Sequence, residues 1–593
     1  MNTASSSPAP VLELSGLRVA YPGRRGAVST PAVDGVGLSV GRGESVAVVG
    51  ESGSGKTTLA RSVLGLLPSG TRREGSLRLA GQDLDALDAT GRRRLVGRRI
   101  GYVPQDPGTS LDPLLRVLEQ VVEPLRIHGI GDPDTHRERA LAAMREAGLP
   151  DPESLARRWP HELSGGQRQR VLIAAAIVTD PDLILADEPT SALDVTVQKR
   201  ILDRLQELVR ERGTALLMIT HDLAVAAERT DRVVLMSRGR AVEQGPSEQV
   251  LLHPSTPQGR ALAEAMALTA DAVADDVVGA TGPGVGGVGP DGEAAGGAAA
   301  GGAIAPWAAA DPAGSPAAQT DAGAGAPAGV SGVDGARTPV LTGEGLSRTF
   351  GSRREPVHAL REAAFSLAEG GSLAVVGESG SGKTTLARIL LGLERADAGR
   401  ITLRGAEVTR RDRSFRRTVQ PVFQNPHSSF DPSHTVGWSV LEPVRALGSA
   451  GRAQGRELLG RLFDDVGLDR RLAARRPREL SGGQLQRAAI ARALSVSPDV
   501  LVCDEAVSAL DASVQAQVLR LLQRLRDERG LSLLFITHDL AVVRWLCEDV
   551  LVMREGRIVE AGPVSRIFRT PQQEYTRELI AAIPRPLRAG TAA

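Results

Sequence analysis

The strongest constraint on this chain is that it holds one long sequence pattern twice. GESGSGKTTLAR begins at Gly50 and recurs unchanged at Gly377. ELSGGQ recurs at Glu162 and Glu479, SALD at Ser191 and Ser508, and ITHDLAV at Ile219 and Ile536. The offset is 327 at the first motif and 317 at each later one, so the first copy carries ten more residues after its first motif. A period this long marks duplicated domains, not a solenoid. Two large domains also suit a chain of 593 residues.

Between the copies the pattern lapses. No Lys or Arg occurs from Ala261 to Ala336, while nine acids do, and the rest is mostly Ala, Gly, Pro and Val. Such a segment cannot bury enough apolar surface to offset its ordering entropy. We expect a disordered N-terminus over 1–10, a first domain over 11–267, a linker over 268–338, a second domain over 339–586 and a tail over 587–593. As a flexible coil the linker would span roughly 45–50 Å. Trp307, its only aromatic, reads as a solvated linker residue.

Composition excludes several classes. With 71 Lys+Arg against 70 Asp+Glu, the chain is not built mainly to wrap nucleic acid. Two cysteines, Cys503 and Cys547, argue against a disulfide framework, a structural zinc or an iron–sulfur cluster, and read as core packing. The opening residues lack the basic and apolar regions of a signal peptide, and no stretch is apolar enough to span a membrane. The basic runs Arg92, Arg93, Arg94, Arg98, Arg99 and Arg410, Arg411, Arg413, Arg416, Arg417 have almost no interleaved aromatics and read as solvated helix faces. His128, His136 and His434 lack ligand-like spacing. Lysine is scarce: Lys56, Lys199 and Lys383 are the only three. A lysine kept in such a chain needs a specific reason.

Short apolar runs predict buried strands at Ser45–Val49, Leu183–Ala186 and Ala215–Ile219, and at Ser372–Val376, Val500–Cys503 and Leu533–Ile536. Helical spacing over Val197–Arg210 and Val514–Arg526 completes an alternation that predicts an α/β fold with a parallel sheet.

The chemistry is concentrated at the strand ends. Gly50 to Thr57 fits G-x(4)-G-K-[ST] between a strand and a helix, where backbone N–H groups and a helix N-terminus converge on phosphate. The expected cradle is Gly50, Glu51, Ser52, Gly53, Ser54, Gly55, Lys56, Thr57 and Thr58, repeated as Gly377, Glu378, Ser379, Gly380, Ser381, Gly382, Lys383, Thr384 and Thr385. Lys56 and Lys383 should reach the β- and γ-phosphates, and Thr57 and Thr384 should hold Mg²⁺. Asp187-Glu188 and Asp504-Glu505 each end a buried strand. The first acid suits the metal and the second the attacking water.

With LSGGQ at Leu163 and Leu480 added, each copy resembles an ABC transporter ATPase. That resemblance implies an ATPase built from two P-loop domains, each with a mainly parallel core, an antiparallel β subdomain and a helical signature subdomain. It assigns Gln105 and Gln424 to the Q-loop, which also contacts the metal, and His221 and His538 to the switch. Asp194 and Asp511 fall in the D-loop, and Tyr21 and Phe350 stack on adenine. In this family the two domains pair head to tail. Ser164, Gly165, Gly166 and Gln167 would complete the site of Lys383, and Ser481, Gly482, Gly483 and Gln484 that of Lys56. Two competent sites for ATP and Mg²⁺ follow.

QDPGTSLDP from Gln105 and QNPHSSFDP from Gln424, with the closing segments from His253 and Tyr575, resemble the dipeptide, oligopeptide and nickel importers. The chain resembles a fusion of their two ATPase types. This implies two permease subunits, an extracytoplasmic substrate-binding protein and a peripheral position on the cytoplasmic side of the cell membrane, with no nucleic acid. Ser255 stands where the closing segment usually has Tyr, and no cysteine follows Pro584. Two other readings stay open: a soluble twin-ATPase acting on ribosomes, which a linker without basic residues disfavours, and an exporter, since ATP chemistry does not set direction.

Overall fold

The computed structural model describes residues 9–22, 30–190, 193–264, 266, 337–352, 355–447, 452–508 and 510–584. The expected linker (all but 337–338), most of the N-terminal segment, the tail, Trp307 and Ser191 lie outside the described residues.

Each half builds two sheets. In the first half a six-stranded sheet runs Arg240–Pro246, Arg232–Ser237, Ser45–Gly50, Ala215–Ile219, Leu183–Asp187, Ile100–Val103. Its pairings are parallel except for the edge hairpin Arg232–Ser237/Arg240–Pro246. The second half repeats this order with Ser372–Val376 between Ser532–Ile536 and Asp549–Arg554. Ser45–Gly50 and Ser372–Val376 are buried throughout, as strands covered on both faces must be. A four-stranded antiparallel sheet, led by Leu12–Ala20 in one half and Pro339–Ser352 in the other, packs beside each core.

Four of the six predicted strands extend by one residue, ending at Gly50, Asp187 and Asp504 or beginning at Ser532, while Ala215–Ile219 and Ser372–Val376 keep their expected bounds. The helices start earlier and end later than apolar spacing suggests, at Val195–Arg212 and Ala512–Arg529. Capping explains this. Asp194 accepts from the N–H of Val197 and Asp511 from that of Val514, and Gly213 and Gly530 close the far ends in left-handed backbone. Ile201, Leu202, Leu205, Leu208 and Val209 form the buried stripe of the first helix. Eight of the ten extra residues of the first half lie between Lys56 and Gln105 (49 positions, against 41 between Lys383 and Gln424). There the helix Ala89–Arg99 stands in place of the shorter Arg413–Thr418.

Cys503 and Cys547 are buried in one apolar cluster. Among the described residues no helix is long and apolar enough to cross a membrane. The closing segments correct one expectation. The N–H groups of Ser255 and Thr256 are held by the Glu243 carboxylate, as those of Gln572 and Gln573 are by Glu560. Ser255 therefore matches Gln572, and Gln258, not Ser255, occupies the position of Tyr575.

Candidate nucleotide sites

The phosphate-loop pattern works through backbone that only glycine tolerates. Gly50 has φ +150° and Gly55 φ +103°; a Cβ on them would stand 2.1 Å from the Met236 carbonyl oxygen and 2.3 Å from that of Ala32. Gly377 and Gly382 meet the Met553 and Ala359 carbonyls at the same distances. The loop then wraps its lysine. Lys56 Nζ donates to the carbonyls of Gly50 (2.6 Å) and Glu51 (3.0 Å), and Lys383 Nζ to those of Gly377 and Glu378, both at 2.7 Å. Burial lowers both lysine pKa values, opposed by the acids around them. For Lys56 those acids include Glu188 and Asp187 of its own half and Asp511 of the other; for Lys383 they include Glu505, Asp504 and Asp194. Thr57 and Thr384 are exposed at the adjoining helix starts.

Burial, then the neighbouring Glu188, pushes Asp187 up to about 6, and burial and Glu505 do the same for Asp504. Oδ1 of Asp504 is buried with no hydrogen-bond partner. Glu188 (φ +47°) and Glu505 (φ +48°) occupy left-handed backbone, a strained conformation for a non-glycine residue. Each carboxylate bridges two side chains. Gln105 Nε2 donates to Glu188 at 2.8 Å and His221 Nδ1 lies 3.2 Å from it; Gln424 Nε2 donates to Glu505 at 2.5 Å with His538 Nδ1 at 3.3 Å. Burial works to raise the pKa of each glutamate, and the histidine hydrogen bond together with the charges of that histidine and the loop lysine outweighs it, leaving both lowered. Both histidines are raised, burial opposing and the glutamate bond with the charges of that glutamate and of Asp222 or Asp539 together outweighing it. The predicted metal contacts Gln105 and Gln424 thus sit on the glutamates.

Ser164 and Ser481 begin the helices Gly165–Ile177 and Gly482–Leu494 with reciprocal capping. Ser164 Oγ accepts from the N–H of Gln167 (3.3 Å) while Gln167 Oε1 accepts from that of Ser164 (3.0 Å), and Ser481 and Gln484 repeat this. Tyr21 shares a 3.1 Å hydroxyl–hydroxyl bond with Thr58. Phe350 is partly exposed, with the Arg348 guanidinium 4.8 Å from its ring centre.

A cavity of about 830 Å³ gathers Phe350, Ser379, Gly380, Gly382, Lys383, Thr384, Thr385, Gln424, Glu505 and His538. Among the described residues, Leu193 and Asp194 are the first-half residues that line it; the signature residues Ser164 to Gln167 do not. The halves meet instead around the D-loops. Thr196 Oγ1 donates to Glu378 Oε1 (2.6 Å), Ser513 Oγ to Glu51 Oε1 (3.1 Å), and the Ser52 N–H to Asp511 (3.3 Å). Motif spacing does not single out Thr196 and Ser513. Their only local signal is a hydroxyl two residues past each capping aspartate.

A family model described as ABC transporter matches residues 33–191 and 360–508. The chain belongs to the ABC transporter family. It is an ATPase carrying two ABC ATPase domains. It is 38% identical over 612 residues to the Oligopeptide transport ATP-binding protein OppD of Mycobacterium tuberculosis, covering 97% of this chain and 99% of that protein. It is 36% identical over 573 residues to the Glutathione import ATP-binding protein GsiA of Pectobacterium atrosepticum, covering 94% and 87%. A Salmonella choleraesuis protein of the latter name is 38% identical over 591 residues, covering 97% and 89%.

Proposed function

We propose that this chain binds and hydrolyses ATP at two sites to drive import of peptides or related small solutes through separate permease subunits. The names of its relatives, glutathione import and oligopeptide transport ATP-binding proteins, support the solute class. One observation carries the site assignment. Each strand-end glutamate is held in strained backbone between a glutamine and a histidine, beside a lysine-containing phosphate loop.

In this reading the loop amides with Lys56 and Lys383 hold the phosphates, and Tyr21 and Phe350 face adenine. Glu188 and Glu505, lowered in pKa and therefore ionised, orient the attacking water and accept its proton. His221 and His538 hold those carboxylates in place. Gln105 and Gln424 sit where movement of a permease helix would be felt at the glutamate. Mg²⁺ fits the donor set: Thr57 and Asp187, or Thr384 and Asp504, are oxygen donors of the type it takes, and the partnerless Asp504 oxygen awaits a cation. Gln105 and Gln424 could add an amide oxygen. Bound there, the ion would neutralise charge on the β- and γ-phosphates.

The signature segments Ser164–Gly166 and Ser481–Gly483, with Gln167 and Gln484, would close on the opposite half's ATP, their helix starts favouring a γ-phosphate. The reciprocal contacts at Glu51 and Glu378 support head-to-tail pairing. The chain would then lie on the cytoplasmic face of the membrane, against two permeases served by an extracytoplasmic binding protein.

The test is reconstitution with the permeases in vesicles containing ATP. Uptake of a labelled di- or oligopeptide should depend on ATP inside and vanish in Glu188→Gln/Glu505→Gln. Peptide uptake by that double variant, at the unmodified rate, would refute the assignment.

A further inference from the structure

Glu378, the second residue of the second phosphate loop, is held from two directions. Its N–H donates to the Tyr575 hydroxyl at 2.9 Å, and its carboxylate accepts from Thr196 of the first half. Tyr575 is buried and belongs to the helix Glu574–Ala581. The last residue of that helix, Ala581, gives its carbonyl to Lys199 Nζ at 3.0 Å. Lys199 is the one lysine of the chain outside the phosphate loops. An ammonium at the carbonyl end of a helix satisfies an orphan acceptor and the helix dipole together. Thr196 and Lys199 stand three residues apart on the helix Val195–Arg212, so they lie on one face.

These contacts close a loop. One helix of the first half grips the second phosphate loop directly through Thr196, and indirectly through Lys199, Ala581 and Tyr575. Among the described residues the mirror site has the first grip, Ser513 on Glu51, and an N–H of the loop, that of Ser52, on Asp511, but no counterpart of the tyrosine and lysine contacts. At the offset of 317, Lys199 becomes Ala516 and Tyr575 becomes Gln258, which is exposed. Ala516 has no ammonium to offer a helix end, and Gln258 has no phenol hydroxyl to set against the Glu51 N–H.

We infer that Tyr575 and Lys199 are positioning residues that pre-set the second phosphate loop alone, making the two nucleotide sites unequal in affinity by construction. The inference rests on the two-site reading above and adds which site is favoured. The closing helix acts as a strut: its near end fixes the exit of the strand Ser372–Val376 into the loop, and its far end is braced by the other half.

The test resolves the sites in the full chain by binding, without turnover. 8-Azido-ATP is photo-crosslinked at graded concentrations and labelled peptides around Tyr21 and Phe350 are quantified by mass spectrometry. Tyr575→Phe should raise the half-saturating concentration at Phe350 about 3- to 10-fold, the worth of one hydrogen bond, and leave Tyr21 unchanged. Lys199→Met, a partly exposed position that leaves the core intact, should shift the same site in the same direction, and Lys199→Arg should restore it. The double variant should do no more than the larger single change, because both act through one helix. Equal shifts at both sites, no shift, or full additivity would overturn the strut. Absence of labelling near either aromatic would overturn the nucleotide reading of the pockets, and the inference with it.

Discussion

Gly483→Ala would place a methyl carbon 2.2 Å from Val514 Cγ1 and 3.3 Å from its Cβ and Cγ2. Val514 lies in the first turn of Ala512–Arg529, where a β-branched side chain has essentially one rotamer and cannot swing aside. The signature helix must therefore lift off the D-loop helix. Overpacking of this kind costs about 1–3 kcal/mol. For a half of this size, that lowers the melting temperature by roughly 2–12 °C. At the adjacent Gly482 a Cβ would meet nothing within 4 Å, so Gly482→Ala should leave the melt nearly unchanged. Val514→Ala removes both γ carbons. Alone it should destabilise by about 1 kcal/mol, since the side chain is only partly buried. Combined with Gly483→Ala it should recover most of the loss, so that the pair costs at least about 1 kcal/mol less than the sum of the singles. Differential scanning calorimetry of the four chains measures this, and ATP turnover should fall and recover in parallel. A Gly483→Ala chain that melts like the parent, or strict additivity with Val514→Ala, would refute the packing argument.

Three further outcomes follow from other parts of the fold. Glu188→Gln/Glu505→Gln should abolish ATP turnover while retaining bound nucleotide on a desalting column; loss of binding instead would place the glutamates in ATP affinity. Ser481→Ala removes the acceptor for the Gln484 N–H and should lower stability by about 1 kcal/mol in urea titration, with Ser481→Asp, another good cap, losing less. Burial pushes the Cys503 thiol up to about 12 and also raises Cys547, so the native chain should resist iodoacetamide at mildly alkaline pH and the denatured chain should take up two labels. Because these thiols stay protonated in the fold while the unfolded chain ionises near 9.0, their contribution to stability is full below that pH and declines above it. A Cys503→Ala/Cys547→Ala chain should lose that alkaline slope.

What the sequence determined by itself is local. Two glycine-spaced loops, their lysines and the acid pairs at strand ends are legible because each depends on backbone and side chains within a few residues. The duplication told which loop matched which. Helix starts were displaced because the capping Asp194 and Asp511 precede the first apolar residue that periodicity detects. The closing segment was misaligned because motif matching weighed Ser255 against a tyrosine, whereas Glu243 fixes its place from a strand 12 residues earlier. The tertiary structure decided the rest. Gln105 reaches Glu188 across 83 positions, and Lys199 reaches Ala581 across 382. No sequence window contains such pairs. Gln105 meets Glu188 because the strands Ile100–Val103 and Leu183–Asp187 are paired neighbours in one sheet, and Lys199 meets Ala581 because packing of the two halves brings a helix of one against the closing helix of the other.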